Sequence, residues 1–155
     1  MTEAESTAIS RLRASEIMTK SVRTATREMS LREVAAMMRD GDMGAVPVVD
    51  NGKLIGIVTD RDIVVRAVAE GKTADTPVGE VMTAELHTVL PDDFVFEAIR
   101  LMGDKQIRRI PVVDAEGKLA GIIAMADVAL ESEDEREIAE TLEEISSGSA
   151  FWNKK

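Results

Sequence analysis

The chain repeats itself. Shifted by 64 positions, Ser15-Glu16-Ile17-Met18-Thr19 falls on Gly79-Glu80-Val81-Met82-Thr83, and Val46-Pro47-Val48-Val49-Asp50 falls on Ile110-Pro111-Val112-Val113-Asp114. One extra turn residue in the second copy then moves the shift to 65, which lays Lys53-Leu54-Ile55-Gly56-Ile57 over Lys118-Leu119-Ala120-Gly121-Ile122 and Asp62 over Asp127. A match this long and this well ordered restricts the 155 residues to two similar units plus appendages. The expected organisation is a flexible N-terminal segment at 1–14, repeat 1 at 15–76, repeat 2 at 77–131, and an acidic C-terminal helix and tail at 132–155.

Each copy reads as a mixed α/β (α+β) unit. Ser30-Leu31-Arg32-Glu33 is a capping-box sequence, and Val34, Ala35, Met37 and Met38 follow at helical spacing. Gly41 stands where a C-cap glycine would stop that helix. Ala45 to Val49 and Leu54 to Val58 are short apolar runs around the turn signal Asp50-Asn51-Gly52, which predicts a β-hairpin. Thr59-Asp60 then opens a helix over 61–69, closed by Gly71. In the second copy Asp92 and Asp93 are expected to start the first helix, Asp114 to Gly117 to make the turn, and Ala126 to Leu130 to lie in the second helix. A small sheet covered by helices on one face has a second apolar face to bury, and the other copy is its natural cover, giving a pseudo-twofold pair.

Composition narrows the chemistry. Without cysteine there is no disulfide framework, thiolate nucleophile or cysteine zinc site. The single histidine, His87, reads as a partly exposed strand residue, and no histidine-pair metal site is available. No nucleophile–base set or P-loop lysine motif is present, so the chain is not expected to be an enzyme. A net charge of −10 argues against nucleic acid as a partner, because neutralising phosphates needs a basic surface. No apolar run approaches the roughly 18–20 residues of a membrane span, and residues 1–10 lack a signal-peptide core; a cytoplasmic location is expected. The methionines, including Met18, Met38, Met82 and Met102, read as adaptable packing.

The motifs Ile17-Met18-Thr19, Gly44-Ala45-Val46-Pro47-Val48-Val49-Asp50 and Gly56-Ile57-Val58-Thr59-Asp60-Arg61-Asp62, with their second copies, resemble the tandem cystathionine-β-synthase (CBS) domain pair, the Bateman module, in its short stand-alone form. The resemblance covers about three quarters of the chain. It implies two βαββα-type CBS repeats with two clefts between them, which in many members take adenosine-containing ligands. AMP, ADP and ATP lead that group, with NAD and S-adenosylmethionine behind them. No cofactor is required. The resemblance also implies a homodimer, and the bound ligand is expected to modulate either that homodimer or a protein partner.

By that resemblance the site residues are Val22, Gly44, Ala45 and Val46 around the base, Asp62 at the ribose hydroxyls, Thr59 towards the phosphates, and Arg108 and Arg109 as the phosphate cations supplied by the other repeat. The second cleft would use Leu86, Ile110 and Asp127. Local chemistry agrees with these roles, since a carboxylate accepts from two hydroxyls and hydroxyls or guanidinium groups meet phosphates. Thr59 and Asp62 are equally suited to capping a helix, however, and that reading stays open. The second copy keeps Asp127 but has Ala124 in place of the hydroxyl residue, and its nucleotide would face Gly44 and Ala45 instead of two arginines, so the first cleft is the favoured one.

Residues 131–147 hold eight acidic side chains and one basic one, which is −7 of the total −10. Ser132-Glu133-Asp134-Glu135 is a further capping-box sequence, and Ile138, Leu142 and Ile145 make a narrow apolar stripe at helical spacing. The expectation is an acidic helix that packs on its own chain or serves as a swapped or partner-binding arm. A ligand-free scaffold acting through dimerisation and this arm is the alternative function.

Overall fold

The computed structural model describes residues 11–131, and within them the repeat recurs in the order of its main elements. After a short helix α1 (Ala14–Ile17), the first full helix α2 (Leu31–Gly41) starts where the capping box predicts: the Ser30 hydroxyl accepts from the Glu33 N–H at 3.1 Å. Its apolar stripe buries Leu31, Val34 and Met38. The helix does not stop through Gly41, which is its last helical residue. The left-handed position is Asp42 (φ 50°), whose N–H bonds the Met38 carbonyl. Gln106 (φ 57°), 64 positions on, ends α4 (Val95–Lys105) in the same way.

The start of α4 differs from expectation. Its N-cap is Phe94, the counterpart of Ser30, and no side chain caps it. Asp93 instead closes the preceding turn, its Oδ2 accepting from the Leu90 N–H at 2.8 Å. Aspartate suits both a turn and a cap, and here the turn prevails because the repeat fixes the first helical residue at Val95.

The hairpin forms as predicted. Strands β1 (Ala45–Asp50) and β2 (Lys53–Thr59) pair antiparallel from Ala45↔Thr59 to Asp50↔Lys53, across a two-residue turn of Asn51 (φ 51°) and Gly52 (φ 83°). The register slips between Val48 and Val49, leaving Ile55 as a bulge. The leading strand of the βαββα pattern shrinks to one residue: Ala25 lies parallel beside Val48, and Val89 beside Val112. Strands β3 (Arg109–Val113) and β4 (Leu119–Ala124) form the second sheet. The helix expected at 61–69 is only briefly α-helical. A single turn, α3 (Asp60–Asp62), widens into a π-helix over Ile63–Val68, with the Ala69 N–H reaching the Val64 carbonyl at 2.9 Å. Helix α5 (Met125–Glu131) takes the matching place after β4.

The chain divides into two compact units. The first comprises Val22–Leu86 with Glu116–Leu119; the second takes the described residues up to Ser21, His87–Ala115, and those from Ala120. Each has its own core. Leu31, Val34, Met38, Val46, Val48 and Val58 lead the first, and Val95, Ile99, Met102, Ile110, Val112 and Ile123 the second. The opening motif of each sequence repeat sits on the sheet of the other. Thr83 bridges Ile57 of β2 in the first unit, and Thr19 bridges Ile122 of β4 in the second. Gly56 and Gly121 make this crossing possible. A Cβ on Gly56 would stand 2.6 Å from the Met82 sulfur, and one on Gly121 would stand 2.7 Å from the Thr19 carbonyl oxygen. The expectations for residues 1–10 and for the acidic C-terminal helix lie outside the described residues. No helix among the described residues is long and apolar enough to cross a membrane.

Candidate functional site

In the first unit, one end of the hairpin gathers five of the predicted residues. Gly44, Ala45 and Val46 lead into β1, and Ala45 pairs with Thr59 at the end of β2. The Asp60 N–H donates to the Gly44 carbonyl at 3.0 Å, tying the strand entrance to the helix start. The approach is close: a Cβ on Gly44 would meet Asp60 Oδ2 at 3.2 Å.

Thr59 and Asp62 then lock together. The Asp62 N–H donates to Thr59 Oγ1 at 3.0 Å, and the Thr59 N–H donates to Asp62 Oδ2 at 2.9 Å. This is a reciprocal capping box, so the capping role left open by the sequence is real. It is not the whole role. The Asp62 side chain, only 12% exposed, also receives the Thr83 hydroxyl at 3.3 Å on Oδ1, and the Arg66 Nε lies 3.8 Å from that same oxygen. The result is an ionisable carboxylate held rigidly by a backbone donor, a hydroxyl and a guanidinium. Arg66 is itself anchored by donating to the Met82 carbonyl at 3.2 Å. Val22 and Leu86 belong to the same unit, both half-buried.

The second unit repeats this frame with different chemistry. The Met125 N–H donates to the Arg108 carbonyl at 2.8 Å, as Asp60 does to Gly44. The Ala124 N–H donates to Asp127 Oδ2 at 3.0 Å, as Thr59 does to Asp62. The return bond is missing, because Ala124 has no hydroxyl to accept it. Where the first unit has Gly44 beside Asp60, the second has Arg108 beside Met125, and both Arg108 and Arg109 are exposed. Ile110 is fully buried in the second core. His87 is half-buried, outside any assigned strand, at the start of the second unit's main segment.

Thr83 and Arg66 are not among the site residues that the sequence predicts. Thr83 is legible as part of the repeated Met-Thr motif, but its partner lies 21 positions away in sequence. Arg66 carries a readable signal: it stands four residues after Asp62, on the same helix face. Among the described residues no three His, Cys, Asp or Glu side chains gather to hold a metal ion.

Two α+β units, each closing on a helix whose first turn carries a half-buried aspartate bonded back to the strand before it, define a tandem domain of one type. The chain belongs to the CBS-domain family, whose pattern matches residues 14–68 and again 78–134. Its relatives include the CBS domain-containing protein YhcV of Bacillus subtilis, 42% identical over 113 residues that span 73% of this chain and 80% of YhcV. Among solved structures it is similar to Hypoxic Response Protein I with two coordinated zinc ions, at a TM-score of 0.71 and 34% identity over 77% of this chain and 98% of that one. It is also similar to the CBS domain pair of protein MJ0100 in complex with 5′-methylthioadenosine and S-adenosylmethionine, at a TM-score of 0.69 and 29% identity over 77% of this chain and 94% of that one.

Proposed function

We propose that the first repeat is a sensor site for an adenosine-containing small molecule, and that its occupancy modulates a homodimer or a protein partner in the cytoplasm. The observation that carries this reading is the Asp62 carboxylate. It is mostly shielded from solvent, acceptor-rich, and fixed by Thr59, Thr83 and Arg66. A carboxylate so placed takes the two ribose hydroxyls without having to be oriented on binding, which lowers the entropic cost of association. Thr59 serves the phosphate end, Val22 and Gly44 to Val46 frame the base, and Arg108 and Arg109 supply the cations that polyphosphates need. The 5′-methylthioadenosine and S-adenosylmethionine held by the MJ0100 domain pair support the ligand class.

AMP, ADP and ATP are the preferred ligands, with NAD and S-adenosylmethionine behind them. The second repeat, with Leu86, Ile110 and Asp127, is the weaker site because Ala124 offers no hydroxyl. Titration calorimetry against this panel tests the proposal. One strong site per chain is expected, lost in Asp62→Ala and weakened for ATP more than for S-adenosylmethionine in Arg108→Ala/Arg109→Ala. Absence of binding by the whole panel to ligand-free protein overturns it and leaves the scaffold reading, in which the acidic arm does the work.

A further inference from the structure

Between α2 and the π-helix the first unit carries an open groove of about 470 Å³. Small side chains keep it open: Ala35 and Ala36 line it from α2 and Ala67 from the π-helix, and Leu31 and Ile63 complete an apolar floor. Its charged lining is of one sign, since Arg32, Arg39 and Lys72 border it and no carboxylate does. On the π-helix wall Val64 and Val68 stand 58% and 67% exposed, a large apolar area for the surface of one short helix. Two of the three cations are particular to the first repeat. Sixty-four positions after Arg32 and Arg39 stand Phe96 and Gly103.

The form of the groove selects its occupant. It is a trough between two helices, so a small molecule in it keeps much of its surface in water, where such ligands are normally enclosed. A helix laid along the trough meets both walls, with its apolar anchors on the floor and its charges left for the rim. The rim decides their sign. Each cation has one acidic neighbour, Asp75 for Arg32, Asp40 for Arg39 and Glu80 for Lys72, in exposed pairs that hold weakly and exchange readily. Each also keeps donors to offer. Arg32 meets Asp75 through Nη1 alone, Arg39 meets Asp40 through Nε and Nη2, and the Lys72 ammonium lies 3.4 Å from a single Glu80 oxygen. A second copy of the chain suits the groove less well, because a twofold contact centred there sets the three cations against themselves. We infer that the α2/π-helix groove docks an acidic amphipathic helix of another protein, its apolar edge on the alanine floor and its carboxylates on Arg32, Arg39 and Lys72. The docking stands whether or not Asp62 holds a ligand. The two are joined in the fold all the same, because the π-helix wall continues from the turn that carries Asp62.

Fluorescence anisotropy with labelled synthetic peptides tests the docking on the full-length protein, without nucleotide. The probe is a helix of about four turns with leucine at i, i+4, i+7 and i+11 and glutamate on its flanks. Its twin carries lysine wherever the probe has glutamate. The glutamate peptide is expected to bind the parent chain, and the lysine peptide at least about tenfold more weakly. Arg32→Glu/Arg39→Glu/Lys72→Glu should reverse that preference, an outcome that lost folding cannot produce. Ala35→Trp, at an exposed position of α2, fills the trough and should weaken the glutamate peptide at least about tenfold. Raising the salt from about 0.05 to about 0.5 M should weaken it in the parent as well. No binding of the glutamate peptide, equal binding of the two peptides, or an affinity unmoved by Ala35→Trp overturns the inference. So does sedimentation in which the parent is dimeric and Ala35→Trp monomeric, because the groove then belongs to a second copy.

Discussion

Thr59 and Asp62 cap each other, at 3.0 Å from the Asp62 N–H to Thr59 Oγ1 and 2.9 Å from the Thr59 N–H to Asp62 Oδ2. The same two side chains are the candidate ligand contacts, so every substitution there changes stability and binding together. The two effects separate by choice of residue. Asp62→Asn keeps an oxygen that can accept from the Thr59 N–H but removes the charge. It should cost under about 1 kcal/mol of stability while weakening nucleotide binding roughly tenfold to a hundredfold, the loss of one charge-assisted hydrogen bond. Thr59→Ala makes the first repeat resemble the second at this position and should cost about 1 kcal/mol of stability, the usual worth of an N-cap side chain. Urea melts beside titration calorimetry check both, and equal losses of affinity in the two variants would contradict the division of labour.

Gly56 and Gly121 are equivalent in the repeat but not in what surrounds them. A methyl group at Gly56 would meet the Met82 sulfur at 2.6 Å and the Thr83 carbonyl oxygen at 3.1 Å. At Gly121 it would meet the Met18 sulfur at 2.7 Å and the Thr19 carbonyl oxygen also at 2.7 Å. A thioether can turn aside, whereas a backbone carbonyl held in a strand bridge cannot. Both Gly→Ala changes should destabilise, Gly56→Ala by about 1 kcal/mol and Gly121→Ala by about 3 kcal/mol. The order is the stringent part, and chemical denaturation of the two variants measures it.

Asp42 and Gln106 both end a helix with positive φ, at 50° and 57°. Aspartate tolerates that conformation better than glutamine, because its short side chain bonds locally. Gln106→Gly should therefore raise stability by up to about 1 kcal/mol, and Asp42→Gly by less. A thermal melt in which Gln106→Gly lowers the midpoint would show that Gln106 makes a contact outweighing its strain.

What can be read from the sequence is whatever depends on neighbours close in the chain. The Asn51-Gly52 turn, the Ser30 cap and the helix start at Thr59 all follow from local preferences, and each stands in the structure. Expectation and structure part where two local preferences compete or where the deciding partner is remote. Asp93 could cap or turn, and only the counterpart Phe94 tells which. Gly41 offers a stop, but α2 runs one residue further because Asp42 accepts the left-handed position. The widening at Ile63–Val68 has no cue in an apolar run that suits an α-helix as well. At the candidate site, Thr59 and Asp62 are visible because they are three residues apart. Thr83 is not, because it reaches Asp62 only after the chain's opening motifs have crossed onto each other's sheets.

Arg66 offers the last test, since it distinguishes the two repeats by charge alone. Its Nε lies 3.8 Å from Asp62 Oδ1, and its side chain is 52% exposed. Four residues after Asp127 the second repeat has Glu131 in sequence, an acidic residue where the first repeat has Arg66. As a half-exposed pair Arg66–Asp62 contributes little to folding, and Arg66→Glu should change stability by less than about 1 kcal/mol. Its effect on binding should be larger. A second carboxylate beside Asp62 raises the cost of keeping both ionised and repels a phosphate-bearing ligand. Affinity for ATP should fall about tenfold or more, affinity for S-adenosylmethionine, which bears a positive sulfonium, should fall less, and the ATP loss should shrink at high salt. Arg66→Lys should recover part of it. Titrations of the two ligands across a salt series make the comparison, and equal losses for both would remove Arg66 from the electrostatics of the site.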